Sequence, residues 1–276
     1  MSFPRLKSLL AARPSSSGAV LSRIMQAALP NRCVLCGNLS QRSVCGACDT
    51  TEHESSQLRC VCCAALLEPA AGPTPCCRAC RAAPPDFDAT VVCGDYAAPL
   101  DMLAQALKFS AQPGLAHWFA RGLAERTLAR AILPDLIIPV PLAAARLAER
   151  GYNQSWEIAK PLARRLRIPA CRSFVRRQRN TVAQTDLGDV RQRLHNVHDA
   201  FTVQQAGLPR SLQTRALHVA VVDDVMTSGA TLAEIARILK YAGVARVTNL
   251  VALRTPAPQT RLGLLPGRPV QAADHR

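Results

Sequence analysis

Aromatic residues are scarce in this chain, 4% of 276 positions, so few rings are available to stack the bases of a single strand. Lysine is nearly missing: it stands only at Lys7, Lys108, Lys160 and Lys240, so the 34 Lys+Arg residues are almost all arginine. Acids number only 19, which leaves a formal charge of +15 and favours anionic partners such as nucleic acid or phosphorylated metabolites, unless the arginines merely cover a solvated surface. No stretch reaches the roughly 18 apolar residues of a membrane span. No Walker loop and no G-x-G-x-x-G fingerprint is present. The first thirty residues have no acid, and the run PSSSG from Pro14 to Gly18 interrupts them before an apolar stretch long enough for a signal peptide forms. The expectation is a soluble cytoplasmic protein, with an Arg/Ser-rich mitochondrial-type leader as the alternative. The 49% hydrophobic and 19% charged content suffices for a sizeable core and excludes a wholly disordered, tail-like protein.

Cysteine is abundant, and its spacing is informative. Ten of the twelve fall between Cys33 and Cys80. Cys33 and Cys36 form one Cys-x-x-Cys pair and Cys45 and Cys48 the next; Cys60 and Cys63 are followed by Cys77 and Cys80. Each pair can present two thiolates to one metal, and two pairs complete the tetrahedral S₄ set that zinc accepts. Four thiolates leave no open position, so the expected zinc is structural. Gly37 and Gly46 suit the tight turns. Cys62 and Cys76 leave two ligand assignments uncertain by one residue, His53 can in principle substitute, and whether the pairs bind as neighbours or interleave stays open. Cys93 and Cys171 stand alone and read as ordinary buried cysteines.

Pro84 and Pro85 read as a linker. The expected organisation is a leader over 1–28, a cysteine-rich zinc module over 29–88, an α/β domain over 89–255 and a flexible tail over 256–276. Within 89–255, strands are expected at Thr90–Tyr96, Asp135–Val140, Leu217–Val222 and Val244–Leu253. Helices are expected from Pro99 (with Leu100, Leu103, Ala104 and Leu107 on one face), over Leu115–Ala131, Asn153–Leu166 and Gly229–Tyr241. Residues 177–196 read as a long polar loop. The alternation predicts a parallel sheet with helices on both faces, with ligands bound beyond the carboxyl ends of its strands.

One segment carries chemistry. The strand ending at Val222 runs into Asp223, Asp224, Val225, Met226, Thr227, Ser228, Gly229, Ala230 and Thr231. Two carboxylates at a strand end can hold ribose hydroxyls. The turn that follows offers backbone N–H groups, three hydroxyls and a helix N-terminus to one phosphate. Gly229 lets the backbone approach closely. The competing reading, a strand end followed by a Ser/Thr cap with solvated acids, suits each feature alone but not the whole run.

That segment resembles the phosphoribosyl-pyrophosphate (PRPP) motif of type I phosphoribosyltransferases. Pro139-Val140-Pro141-Leu142, Arg146 and Arg150-Gly151-Tyr152-Asn153-Gln154 resemble the pyrophosphate-loop region of the ComF/GntX family. Arg177, Arg179, Thr181, Gln184, Arg193, Asn196 and Ala200-Phe201 match that family's central block, and Tyr96, Pro99-Leu100, Lys108-Phe109 and the cysteine pairs match its front. The resemblance spans about Leu29 to Arg254. It implies a type I phosphoribosyltransferase-like sheet behind a zinc module. It also implies that Thr227, Ser228, Gly229, Ala230 and Thr231 hold the 5-phosphate, while Asp223 and Asp224 hold the ribose hydroxyls. Val140, Pro141 and Leu142 would shape the pyrophosphate loop, with Arg146 and Arg150 near the diphosphate and Arg177 and Arg179 closing over it from the long loop. Mg²⁺ would accompany PRPP. Asp223, Asp224, Arg150 and Arg179 are the expected catalytic set.

Plainer readings stand beside these. Arg150 can be a helix-entry residue with Asn153 as N-cap, Lys108 can simply complement its helix dipole, Arg193 and His195 can lie on a solvated helix, and Trp118 and Trp156 read as core. Two functions follow: a PRPP-dependent phosphoribosyl transfer tied to competence, DNA uptake or nucleotide metabolism, or a non-catalytic phosphate-binding module that engages single-stranded DNA or a DNA-uptake helicase.

Overall fold

The structure, a computed structural model, describes residues 31–53, 57–67, 75–109, 113–131, 133–178, 198–204, 212 and 216–256. The cysteine-rich front contains a short antiparallel pair, β1 (Asn31–Arg32) and β2 (Leu39–Ser40), and two helices, α1 (Gly46–His53) and α2 (Arg78–Ala82). There follow β3 (Ala89–Asp95), α3 (Asp101–Phe109), α4 (Pro113–Ala129), β4 (Leu136–Pro139), α5 (Ala144–Arg150), α6 (Gln154–Leu166), β5 (Val175–Arg177), β6 (Phe201–Val203), β7 (His218–Met226), α7 (Ala230–Tyr241) and β8 (Arg246–Arg254).

The four apolar runs read as strands make one sheet in the order β3-β8-β7-β4, parallel throughout. β3, β4 and β8 are buried almost end to end and β7 over Val219–Val222, as a parallel sheet covered on both faces requires. On one face α3, α4 and α6 lay Leu103, Leu107, Phe119, Leu123, Ile158 and Leu162 against it; on the other α7 contributes Leu232, Ile235 and Leu239. Emptying any of these large buried positions to alanine costs about 2–5 kcal/mol. The fold class is therefore the expected α/β sheet with helices on both faces behind a cysteine-rich front. Within 89–255 two features escaped the sequence reading: α5, and the antiparallel pair β5-β6, in which Arg177 faces Phe201. Arg177 thus lies on a strand rather than on the long loop, because that pairing holds its backbone extended.

β7 also runs further than expected. Its pairing with β4 stops at Val222, opposite Pro139, but its pairing with β8 continues to Met226, opposite Arg254. Asp223 and Asp224 are therefore still on a strand, at the level where the β4 edge has ended and a crevice opens.

The front packs directly on this sheet. Val44 belongs to the main core, with Val34 and Leu35 against it. Arg59 donates two bonds to Asp95, at 2.8 and 3.1 Å. Asp49 accepts from Trp118 Nε1 at 2.6 Å and from Arg121, and the Thr90 amide donates to Val61 O at 3.0 Å. Past Pro84 and Pro85, Phe87 is buried and Asp88 accepts from the Val247 amide at 2.7 Å and Lys240 Nζ at 2.8 Å. Cys93 is buried as expected. Cys171 is not: it is half-exposed, because Pro169–Cys171 forms an extra edge beside β4, with the Cys171 amide donating to Ile137 O at 2.9 Å. Trp118 is core, and Trp156 is half-buried against it.

Candidate functional site

Two sets of four thiols assemble in the front: Cys33, Cys36, Cys45 and Cys48, and Cys60, Cys63, Cys77 and Cys80, each with all its sulfurs within 4.8 Å of one another. Neighbouring pairs therefore combine, and interleaving is excluded. A zinc tetrahedron with Zn–S of about 2.3 Å has S···S edges of about 3.8 Å. The Cys36–Cys45 and Cys63–Cys77 sulfurs are 3.8 and 3.7 Å apart. Burial pushes the Cys33 thiol up, but the amides of Cys45, Cys36 and Leu35 outweigh it and bring it down to about 6. Burial likewise opposes the amides of Cys63, Cys77 and Cys62 around Cys60, and they also prevail, to about 6. Each set thus has a sulfur poised as thiolate near neutral pH, the form a metal needs. The donor sets fit zinc. The side chain of His53 lies outside what the structure describes.

A second centre lies beyond the carboxyl ends of β4 and β7, in a cavity of about 530 Å³. Its walls bring together Val140, Pro141, Leu142, Arg146, Arg150, Arg177, Asp223, Asp224, Thr227 and Thr231, residues drawn from three separate parts of the chain. Ser228, Gly229 and Ala230 belong to the same turn but not to the cavity wall, and Gly229 and Ala230 are buried. Arg179, Thr181, Gln184, Arg193, His195 and Asn196 lie outside the described residues.

The turn is shaped from below. Gly229 has φ of +83°, the left-handed region that favours glycine, and a Cβ there would have to displace the flexible end of Met226, whose Cε is 2.6 Å away. Arg254 reaches under the turn from the end of β8, donating to Met226 O at 3.2 Å, to Thr255 O at 2.7 Å and to Thr227 O. Ser228 Oγ accepts from the Ala230 amide at 3.4 Å. Among the described residues the amides of Ser228 and Gly229 donate to nothing within the chain. They stand at the start of α7, where the helix dipole favours an anion.

The acids are unequal. Asp223 Oδ1 accepts from Ser155 Oγ at 3.0 Å and from the Asp224 amide at 3.0 Å. Burial, then the neighbouring Asp224 charge, push the Asp223 carboxyl well above its ordinary range, and the two hydrogen bonds only partly offset them. Asp224 faces Lys108 Nζ, 3.5 Å from its Oδ2, so Lys108 is part of the site and does more than complement a dipole. Burial and the nearby Arg146 charge lower the Arg177 pKa, against the pull of Asp223; the two guanidiniums crowd one wall in a manner suited to an anion.

The Arg-Gly-Tyr-Asn-Gln block braces this wall. Gly151, with φ of +74°, ends α5. Tyr152 Oη donates to Leu107 O at 2.6 Å. Asn153 caps α6 by accepting from the Trp156 amide at 3.3 Å, while its Nδ2 donates to Val140 O at 2.9 Å. Arg150 donates to Gln154 Oε1 at 3.3 Å, which fixes the amide orientation; among the described residues, the buried Gln154 Nε2 meets no acceptor. The capping role of Asn153 was legible, whereas the site positions of Gln154, Ser155 and Arg254 were not. A serine in the first turn of a helix and an arginine at a strand end carry no local signal of their tertiary partners.

Among the described residues no helix is long and apolar enough to cross a membrane. No family model matches the chain. It is 35% identical over 235 residues to DNA utilization protein YhgH of Salmonella typhimurium, covering 82% of this chain and 98% of that protein. It is 37% identical over 185 residues to the protein of the same name from Escherichia coli K12, covering 65% and 78%. Competence protein F of Haemophilus influenzae is 36% identical over 181 residues, covering 62% and 75%. Solved structures similar to it include a purine phosphoribosyltransferase from Pyrococcus horikoshii Ot3 (16% identity, 50% of this chain and 80% of that one, TM-score 0.29). Another is a hypothetical protein from Neisseria gonorrhoeae with bound ppGpp (18% identity, 52% and 73%, TM-score 0.34). At these scores the two structures add nothing to the reading of the site.

Proposed function

The chain belongs to the family of competence protein F and DNA utilization protein YhgH, and on that premise we propose that it binds PRPP and transfers the phosphoribosyl group to an acceptor, releasing pyrophosphate. The observation that carries the reading is the single cavity that unites two acids on β7, the hydroxyl turn entering α7 and the Arg146–Arg177 wall. In this reading Thr227, Thr231 and the amides of Ser228 and Gly229 take the 5-phosphate, with Ala230 and Gly229 forming the buried floor of the turn. Asp223 and Asp224 take the ribose hydroxyls. Arg146 and Arg177 face the diphosphate over the Val140–Leu142 loop, and Arg150 orients Gln154.

A bond from acceptor to ribose C1 forms as the bond from C1 to the diphosphate oxygen breaks, and the electron pair leaves with pyrophosphate. Cations preorganised at that growing charge are the main contribution of the protein. The Asp223–Asp224 pair, one of them held back from ionising, fits a divalent cation arriving with the diphosphate. Bound Mg²⁺ would neutralise diphosphate charge while keeping several waters. The two Cys₄ sets hold structural zinc, and the process served is DNA utilization or competence, as the names of the relatives indicate.

Calorimetric titration of the full chain with PRPP and Mg²⁺ tests this: one site is expected, weakened at least about tenfold in Asp224→Asn, and no heat of binding in the wild type would overturn it. Pyrophosphate release is then screened across nucleobases and amines; binding without turnover would leave a PRPP-binding module. One observation favours a DNA partner besides: a separate open groove of Trp156, Lys160, Arg164 and Arg167 sets a ring among cations, the pattern that holds single strands. Single-stranded DNA binding that falls with salt and with Arg164→Ala/Arg167→Ala supports it, and salt-independent or absent binding counts against it.

A further inference from the structure

The second thiol set contains more sulfur than one tetrahedral ion can use. Cys62 and Cys76, one residue away from ligands of the Cys60–Cys63–Cys77–Cys80 set, lie with their sulfurs 3.8 Å apart. That is the edge length found within both Cys₄ sets and nearly twice a disulfide bond of about 2.05 Å. Cys60, Cys62 and Cys76 also form a group of their own, all sulfurs within 4.8 Å of one another, and Cys60 belongs to both groups. Cys60 is fully buried between them, and its Sγ accepts from the Cys77 amide at 3.3 Å. Cys62 and Cys76 are half-exposed, which gives an ion a path from solvent.

We propose that this half of the front is a two-ion centre. Cys60, Cys63, Cys77 and Cys80 close one tetrahedron, and Cys60, as a bridging thiolate, joins Cys62 and Cys76 on a second divalent ion of the zinc class. A thiolate sulfur has lone pairs for two metals. Three protein ligands leave the fourth position of the outer ion to water or another small donor, the coordination of an accessible site rather than a closed one. Charge does not oppose the arrangement: two doubly charged cations against six thiolates leave the same net charge as one such cation against four. The chain would then carry three such ions, the outer one exchanging fastest because two of its three ligands face solvent.

The test uses the full chain, purified reduced without oxygen, loaded with Zn²⁺ and freed of excess. Native mass spectrometry should count three ions per chain in the wild type and two in Cys62→Ser/Cys76→Ser. Two ions in both, or a Cys62–Cys76 disulfide in the zinc-loaded wild type, would overturn the proposal. Loading with ¹¹³Cd²⁺ should give a pair of cadmium resonances split by each other through Cys60, a splitting lost in the double variant; three unsplit resonances would refute the bridge. Should the variant fail to fold, maleimide mapping of the zinc-loaded wild type decides: Cys62 and Cys76 protected to the same extent as Cys63 supports the second ion, and rapid labelling of both rejects it.

Discussion

Lys108 Nζ, in the last turn of α3, sits 3.5 Å from Asp224 Oδ2 on β7, so the helix that covers one face of the sheet delivers its only lysine to the acid pair at the strand ends. The same lysine lies 5.9 Å from the Tyr96 ring centre, which helps hold it over the cavity. Lys108→Met removes a cation that a diphosphate can recruit. PRPP·Mg²⁺ affinity should fall about tenfold, about 1.4 kcal/mol, with little change in melting temperature because the pair is partly solvated. Calorimetry of both proteins checks this, and unchanged affinity would place Lys108 outside the ligand.

Asp223→Asn should make the ligand-free protein more stable near neutral pH. The Asp223 pKa is raised in the folded state from an ordinary value near 3.8, whereas the unfolded chain ionises near that value. Its ionisation therefore subtracts stability progressively as pH rises above about 4, fully so once pH exceeds the folded pKa. Asparagine keeps an oxygen for Ser155 and the Asp224 amide. The melting advantage of the variant should be largest at pH 7–8 and shrink toward pH 4, while its PRPP binding is lost. Parallel melting curves across that range measure it; a variant less stable at pH 8 would contradict the cause assigned to the shift.

Gln154 offers a second test of the cavity. Its buried Nε2 lacks an acceptor among the described residues, and such a group costs about 1–3 kcal/mol when left unpaired. Gln154→Met should leave the ligand-free protein at equal or higher stability and weaken PRPP binding several-fold. If the substitution lowers stability and leaves binding alone, the amide serves only Arg150.

Arg254 is a positioning residue for the turn. Three carbonyls of Met226, Thr227 and Thr255 converge on its Nη1. Arg254→Met should cost on the order of 2 kcal/mol, as expected for partly buried carbonyls losing a charged donor. It should raise the PRPP dissociation constant without altering its dependence on pH. Arg254→Lys, which has no planar fork, should recover only part of the loss.

Zinc removal should unfold more than the front. Val44 lies in the main core, and Asp49 holds Trp118 and Arg121 of α4. Cys45→Ala, or a strong chelator, should lower unfolding free energy by on the order of 3 kcal/mol or more. The same treatment should shift the near-ultraviolet signal of Trp118. Loss of metal with an unchanged melting curve would show the front to be dispensable to the sheet.

Much of this was legible in the sequence because it is local or periodic. Cys-x-x-Cys spacing picked out the eight cysteines that gather into two sets of four, since two cysteines with two residues between them can turn toward one point whatever surrounds them, although it left Cys62 and Cys76 as competitors by one residue. Long apolar runs announced a sheet buried on both faces, and the order Val222-Asp223-Asp224 through Thr231 announced the strand end where the cavity lies. Asn153 was readable as a cap because capping reaches only three residues along the chain. The partners of these groups could be settled only by folding. Neighbouring cysteine pairs combine, Ser155 and Lys108 meet Asp223 and Asp224 across 68 and more than a hundred positions, and Arg254 locks a turn 27 residues before it. Arg177 is extended by pairing with Phe201, and β7 outruns β4, which opens the crevice. None of these contacts leaves a trace in nearby residue order, because each depends on how parallel strands stack and which helix ends they leave side by side.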